Sequence, residues 1–122
     1  MRSEHSAFVI ASLLVAAITA FGHHSVILYD MQNPTTVKGT VTRVEWTNPH
    51  AYLFINVTND KTEIEEWTIE LNSPNLLKRN GWSNTLVKPG DEVACVGGRA
   101  KTGARSLRAT TVGLADGRQM KS

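Results

Sequence analysis

Residues 52–71, YLFINVTNDKTEIEEWTIEL, contain the alternation that decides the fold. In both halves of this stretch the apolar core candidates occupy every second position; they are Leu53, Ile55, Val57, Trp67, Ile69 and Leu71. Because successive side chains of a strand point to opposite faces, this pattern predicts two strands joined by a turn at residues 59–61. The opposite face then carries Tyr52, Phe54 and Glu70.

The flanking sequence adds three more strands and one helix. Residues 37–46 alternate but change phase before Val44, which predicts a long strand that bends at Gly39 or carries a bulge. Downstream, Ser73 and Pro74 have the pattern of a helix N-cap followed by proline at the first helical position. After this short helix the sequence predicts strands at residues 92–96 and about 106–114.

Three strands, a short helix and two strands follow the order of the OB barrel. The predicted fold class is therefore all-β with one short helix, a small OB-like five-stranded barrel over residues 37–118. An extended N-terminal lead-in, residues 23–36, precedes the barrel, and a C-terminal tail, residues 119–122, follows it. Another small barrel or a sandwich is the alternative.

The N-terminus has the pattern of a cleavable signal peptide, residues 1–22. Arg2 precedes an uncharged, largely apolar run over residues 7–21, and Ala20 and Gly22 place small residues three and one positions before a cut. Cleavage there makes His23 the first residue of a periplasmic or secreted domain. Cleavage after Ala20 and retention of the segment as a membrane anchor are the alternatives.

Composition limits the partners and the chemistry. The formal net charge is +2, and the basic residues are scattered among acidic ones rather than concentrated in a stripe, so we expect no nucleic-acid partner. We therefore expect a small molecule, a metal or an envelope protein as partner, and no stable membrane insertion after cleavage. The single cysteine, Cys95, lies in an apolar run and is expected to be a buried hydrophobic residue without a disulfide.

The order and spacing of several short motifs resemble an exported bacterial family of unknown function. These motifs are His23-His24-Ser25, Tyr29-Asp30, Gly39-Thr40-Val41, Trp46-Thr47-Asn48-Pro49-His50, Trp67-Thr68-Ile69-Glu70, Ser73-Pro74-Asn75, Arg79-Asn80-Gly81-Trp82, Lys88-Pro89-Gly90-Asp91 and Asp116-Gly117-Arg118. The resemblance implies export and a shared fold, and it implies no activity. The hairpin over residues 59–65 departs from expectation because it has no glycine for a tight turn.

The histidines predict one possible metal site. After cleavage the chain retains His23, His24 and His50, and an N-terminal histidine offers its amine and its ring nitrogen to one ion. Imidazole suits copper, zinc and nickel, and copper(II) binds nitrogen ligands most tightly among the divalent ions. Asp30 or Glu70 could add an oxygen. The alternative is a solvated terminal pair, with His50 capping its turn.

The aromatic residues predict a second possible site. OB barrels bind ligands on the face of strands two and three, where Tyr52 and Phe54 are the ligand-binding candidates together with Glu70. Packing residues and a solvated glutamate are the alternatives, and Trp46 is expected in the core.

No catalytic triad, phosphate loop or paired-carboxylate spacing is present in the sequence. We therefore predict a non-enzymatic binding protein, with copper or another transition metal as its only expected cofactor. The alternative function is an accessory or ligand-binding module of an envelope or periplasmic enzyme system.

Overall fold

The computed structural model describes residues 28–122. Its elements in chain order are β1 (Tyr29–Glu45), β2 (Tyr52–Thr58), β3 (Ile64–Glu70), α1 (Pro74–Arg79), β4 (Glu92–Ala100), β5 (Ser106–Leu114) and β6 (Gln119–Lys121). The predicted signal peptide and its cleavage site lie outside the described residues. Within residues 28–122, no helix is long and apolar enough to cross a membrane.

The strands form one sheet in the order β3-β2-β1-β4-β5-β6. Neighbours in this order are antiparallel, and residues 68–70 of β3 also pair in parallel with residues 106–108 of β5. This last pairing joins the sheet into a ring and so removes part of its open edge. The predicted fold class is confirmed: the domain is all-β with one short helix and is OB-like, with β6 as a short sixth strand.

The apolar positions of the strands form one core, as the alternation predicts. Leu53, Ile55 and Ile69 are almost completely buried, and a truncation of one such side chain to alanine typically costs about 2–5 kcal/mol. The buried cluster consists of Val37, Val41, Ala51, Leu53, Ile55, Trp67, Ile69, Leu71, Leu77, Trp82, Val87, Val93, Cys95, Leu107, Ala109, Val112 and Met120. Cys95 is a buried free thiol, as expected, and burial raises its pKa to about 12.

A bulge explains the phase change in β1. The pairing of β1 with β2 shifts register between Val41 and Arg43, so one extra residue is inserted in β1 at that point. Val41 is buried on one side of the shift, and Val44 packs against the core on the other. The apolar face of β1 therefore continues to point inward although the alternation is broken.

Helix α1 begins and ends where the sequence predicts. The Ser73 hydroxyl accepts a hydrogen bond from the Leu76 backbone N–H at 3.4 Å, and Pro74 occupies the start of the helix. Leu77 is fully buried, so the helix contributes a side chain to the core. Gly81 follows with a positive φ of 94°, a conformation that glycine adopts without steric cost.

The two ends of the described chain differ from the lead-in and tail that the sequence predicts. Residues 29–36 belong to β1 and pair with β4, and a register shift between Asp30 and Thr35 interrupts their alternation. This shift is the physical reason that the sequence shows no strong period there. At the other end, residues 119–121 pair with β5, and the Trp82 Nε1–H donates to the Lys121 carbonyl at 2.9 Å.

The β2–β3 turn forms without glycine. Thr62 takes a positive φ of 62°, and the Asn59 side-chain oxygen accepts hydrogen bonds from the N–H groups of Lys61 at 2.9 Å and Glu63 at 3.0 Å. An asparagine side chain can replace a backbone turn in this way.

Candidate functional site

The structure describes only some of the predicted site residues. His23 and His24 lie outside the described residues, whereas His50 lies in the β1–β2 loop beside Glu70 at the end of β3. Tyr52 and Phe54 lie on β2, on the face that points away from the core. The structure therefore brings His50, Tyr52 and Glu70 to one place on the outside of the ring.

Backbone contacts hold His50 in its position. The Ala51 N–H donates to the Asn72 carbonyl at 3.0 Å, and the Leu71 N–H donates to the Ala51 carbonyl at 2.8 Å. The Thr47 hydroxyl donates to the His50 carbonyl at 3.2 Å, within a loop that contains a cis Asn48–Pro49 peptide bond. The imidazole is therefore attached to a loop that the end of β3 supports.

The central contact of the site joins His50 and Glu70. Nδ1 of the imidazole lies 2.8 Å from Oε1 of the carboxylate, and the two side chains are 32% and 12% exposed. Among residues 28–122, Nε2 of the ring makes no hydrogen bond. The ring thus has one nitrogen oriented by a carboxylate and the other available to a ligand, which is the arrangement of many metal-binding histidines.

Glu70 is less exposed to solvent than a glutamate on the outer face of a strand usually is. It faces away from the core, but its residue exposure is only 9%. It pairs with Tyr52 on β2 and with Arg108 on β5, and their side chains flank it. The ring closure between β3 and β5 therefore buries a charge that the sequence places on an outer face.

Two tyrosines adjoin this carboxylate. A hydrogen bond of 3.2 Å joins Tyr29 Oη and Ser106 Oγ. Burial is the main cause that raises the pKa of Tyr29, and the negative charge of Glu70 adds to it. The pKa of Tyr52 is raised by burial and then by Glu70. Both phenols remain protonated at neutral pH.

Arg108 on β5 contacts the residues that directly follow Glu70. It is 9% exposed, and its guanidinium donates to the Leu71 carbonyl and, at 2.8 Å, to Oδ1 of Asn72. Those contacts fix the chain directly after Glu70. The buried arginine therefore stabilises the backbone that carries the carboxylate.

Other predicted ligands do not join this group. The Asp30 carboxylate accepts from Asn33 Nδ2 at 3.1 and 3.2 Å. Within residues 28–122, no group of three histidine, cysteine, aspartate or glutamate side chains could hold a metal ion. A metal site at His50 therefore needs ligands from outside the described part of the chain.

The aromatic candidates form a neighbouring surface that shares Tyr52 with the His50–Glu70 group. The Arg43 guanidinium lies over the Phe54 ring at 3.8 Å from its centroid, and Arg43 also pairs with Glu45. We call Arg43, Tyr52 and Phe54 the arginine–aromatic patch. The Arg43 guanidinium covers the Phe54 ring, so the groups that this patch can present to a ligand are the guanidinium and the Tyr52 side chain. Trp46 packs partly buried against the core, as expected.

Comparison with known proteins places the chain in a family. Its sequence matches the model of a family of unknown function (DUF6152) over residues 10–108. The chain belongs to the DUF6152 family. This family carries no activity that could be transferred, and no curated protein matches the DUF6152 chain described here.

A solved structure supports the fold of this DUF6152 protein. The mitochondrial single-stranded DNA-binding protein of S. cerevisiae is similar with a TM-score of 0.52 and 13% identity, over 68% of this chain and 93% of that one. At this identity the likeness shows the fold alone. It nevertheless corrects the exclusion of nucleic acid as a partner, since the yeast protein binds single-stranded DNA with a similar fold. Overall charge balance does not describe the local surface that such a fold presents, so it is not a sufficient ground for exclusion.

Sequence reasoning missed several residues of the site in this DUF6152 protein. Tyr29 stands in a motif singled out by the resemblance, but nothing local assigns it to Glu70. Ser106 and Arg108 reach the site through the pairing of β5 with β3, which joins segments almost 40 residues apart. The sequence gives only a weak indication that Arg43 belongs to a site: it lies two residues before Glu45, on the same face of one strand.

Proposed function

We propose that this protein is an exported, periplasmic or secreted binding protein without catalytic activity, which holds a transition-metal ion through His23, His24 and His50. Copper(II) is the first metal to test because it binds nitrogen ligands most tightly among the divalent ions of its series. The terminal amine of His23 is the fourth nitrogen of the proposed set. The signal-peptide pattern of residues 1–22 and the resemblance to an exported family support the exposed N-terminus on which this set depends.

One observation carries the proposal: Nδ1 of His50 lies 2.8 Å from the Glu70 carboxylate in a half-buried site. A carboxylate at one ring nitrogen selects the tautomer whose other nitrogen binds metal, and it raises the basicity of that nitrogen. Glu70 is therefore assigned an orienting role, and Nε2 of His50 is the proposed ligand atom. The earlier alternative, in which Glu70 itself binds the metal, would require it to leave His50.

Chain length is compatible with a shared site. His23 precedes Tyr29 by six residues, a segment that can span at most about 20 Å. Tyr29 Oη makes a hydrogen bond with Ser106 on β5, and Ser106 pairs with Thr68, two residues before Glu70 in β3. A segment of this reach is compatible with a shared site, and the Tyr29 contact links its C-terminal end to the strand beside β3.

The test compares copper(II) binding of three proteins that begin at defined residues. These are the processed protein, a form with one extra alanine before His23, and the His50→Gln variant. We expect each change to remove one nitrogen from the copper spectrum in electron paramagnetic resonance and to weaken binding at least about tenfold, the lower end of the losses seen when a metal site is disturbed.

His24→Gln is the companion variant, because it alters the terminal pair but preserves both the amine and His50. Mass spectrometry of the secreted protein first establishes that His23 is its N-terminal residue. Unchanged affinity and nitrogen count in both the extended form and His50→Gln would refute the metal function.

A second function, an accessory or ligand-binding module of an envelope enzyme system, is favoured by the arginine–aromatic patch. Arg43 stacks on Phe54 and keeps a largely exposed side chain, so it can accept an anionic or planar group. Binding assays for this function should test acidic oligosaccharides and, because the similar yeast structure is a single-stranded DNA-binding protein, single-stranded oligonucleotides. Arg43→Ala should abolish any such binding, whereas Lys38→Ala, a change of the same charge on the same strand, should not. Equal losses in the two variants would indicate nonspecific attraction and exclude the patch.

A further inference from the structure

The side chain of Tyr29 lies where the start of the barrel meets the His50–Glu70 contact. Its hydroxyl bonds to Ser106 at 3.2 Å, and Ser106 pairs with Thr68, two residues before Glu70 in β3. The phenol is half-buried and close enough to Glu70 for the carboxylate to act on it electrostatically. Three elements, β1, β3 and β5, therefore meet around one carboxylate.

We infer that Tyr29 is a positioning residue for His50, acting through Glu70: the Tyr29–Ser106 hydrogen bond holds the phenol against the carboxylate and so keeps the carboxylate turned toward Nδ1. This role deepens the proposed metal function and rests on it for its biological meaning. The orientation itself is a property of the metal-free protein.

The geometry gives Tyr29 a role that Tyr52 does not share. Both phenols are near Glu70, but in the described residues only Tyr29 is tied to a second strand by a side-chain hydrogen bond. Tyr29 is also the first residue of β1, next to Leu28, whose carbonyl accepts from the Lys101 N–H at 2.9 Å. The same tyrosine thus lies at the start of β1, where the Leu28 contact with Lys101 also fixes the backbone.

The proposed coupling has a direct chemical consequence. A carboxylate that is held in one place stabilises one neutral tautomer of the imidazole, with the proton on Nδ1 and the lone pair on Nε2. A carboxylate that is free to rotate away stabilises that tautomer less. Removal of the Tyr29 hydroxyl should therefore mix the two tautomers of His50.

The experiment measures the tautomer and the metal separately. Long-range proton–nitrogen NMR of the metal-free protein at about pH 9, where an imidazole is neutral, reports which nitrogen of His50 carries the proton. Tyr29→Phe and Ser106→Ala should both shift His50 toward a mixture, whereas the matched control Tyr52→Phe should retain the Nδ1–H form. With copper(II) chloride as the probe, Tyr29→Phe should weaken binding by about three- to tenfold, the range that one net hydrogen bond represents.

The outcomes distinguish this inference from the function on which it rests. If His50 keeps the Nδ1–H tautomer in both Tyr29→Phe and Ser106→Ala, Tyr29 does not position it and the inference is wrong. If the tautomer changes but the wild-type protein binds no copper, the positioning stands and the metal function fails. Equal changes in Tyr29→Phe and Tyr52→Phe would also overturn the inference, because any nearby phenol would then serve.

Discussion

A methyl group added at Gly97 should destabilise the protein strongly, because it would collide with the backbone of the neighbouring strand β5. The new Cβ would lie 1.8 Å from the Arg108 carbonyl oxygen, whereas ordinary contacts begin at 3.4 Å. The two backbones would therefore have to separate by roughly 1.6 Å, the difference between those distances. The strand that moves is the one that carries Arg108 and pairs with Glu70, so the perturbation reaches the candidate site.

The expected cost combines two terms. Overpacking typically costs about 1–3 kcal/mol. Loss of two ladder hydrogen bonds at this point of β4 and β5 adds about 0.5–1.5 kcal/mol for each bond. The sum is about 2–6 kcal/mol, and at about 4–8 °C per kcal/mol for a domain of this size Gly97→Ala should lower Tm by at least about 8 °C.

Gly113→Ala is the matched control on β5. Its new methyl group would meet the Nε2 atom of Gln119 at 2.9 Å, but this atom belongs to a flexible side chain that can turn away. We expect a change below about 1 kcal/mol, the lower end of the usual cost of overpacking, because the Gln119 side chain can relieve the contact. Thermal and urea unfolding followed by circular dichroism measure both variants. A Gly97→Ala protein as stable as wild type, or a control that loses as much, would refute the reasoning from backbone approach.

Three further predictions address the site, the core and a turn. Glu70→Gln should keep the fold but weaken copper(II) binding by about 10- to 100-fold, because the charge that orients His50 is lost. Isothermal titration calorimetry measures the affinity, and a wild-type value would remove Glu70 from the site. Burial holds the pKa of Cys95 at about 12 in the folded state, so its thiol ionises first in the unfolded chain, and stability should fall between pH 9 and 12 by up to about 1.4 kcal/mol per pH unit. Denaturation across this range should show a shallower slope for Cys95→Ala, and an identical slope would contradict the linkage. Thr62→Gly should raise the unfolding free energy by about 1 kcal/mol, because a β-branched residue is strained at positive φ. The control Thr58→Gly, in a regular strand, should lower the unfolding free energy. A lower unfolding free energy in both variants would argue against strain at residue 62.

The local pattern was sufficient for much of the fold. Alternation in residues 52–57 and 66–71 predicts β2 and β3, and Ser73 with Pro74 predicts the start of α1. These features depend on neighbours within a few residues, so they can be read without knowledge of the rest of the chain. The lead-in could not be read in this way, because the register shift between Asp30 and Thr35 removes its period.

The candidate site was only partly accessible from the sequence. His50 and Glu70 were each selected for their chemistry, but their contact of 2.8 Å joins a loop to the end of a strand 20 residues later. The phase of β3 places Glu70 on the outer face, and phase alone predicts solvent there. Its low exposure goes with the closure of the ring, in which Tyr52 on β2 and Arg108 on β5 pair with it.

The sequence by itself therefore determined which faces of the strands are apolar, where the helix begins and which side chains can bind a metal or stack on a ligand. Only the tertiary structure decided that β3 pairs with β5 and that His50, Glu70 and Tyr29 share one corner. The reason is physical: alternation and capping are properties of short segments, whereas register between distant strands is set by the packing of the whole core and by the hydrogen bonds that close the ring.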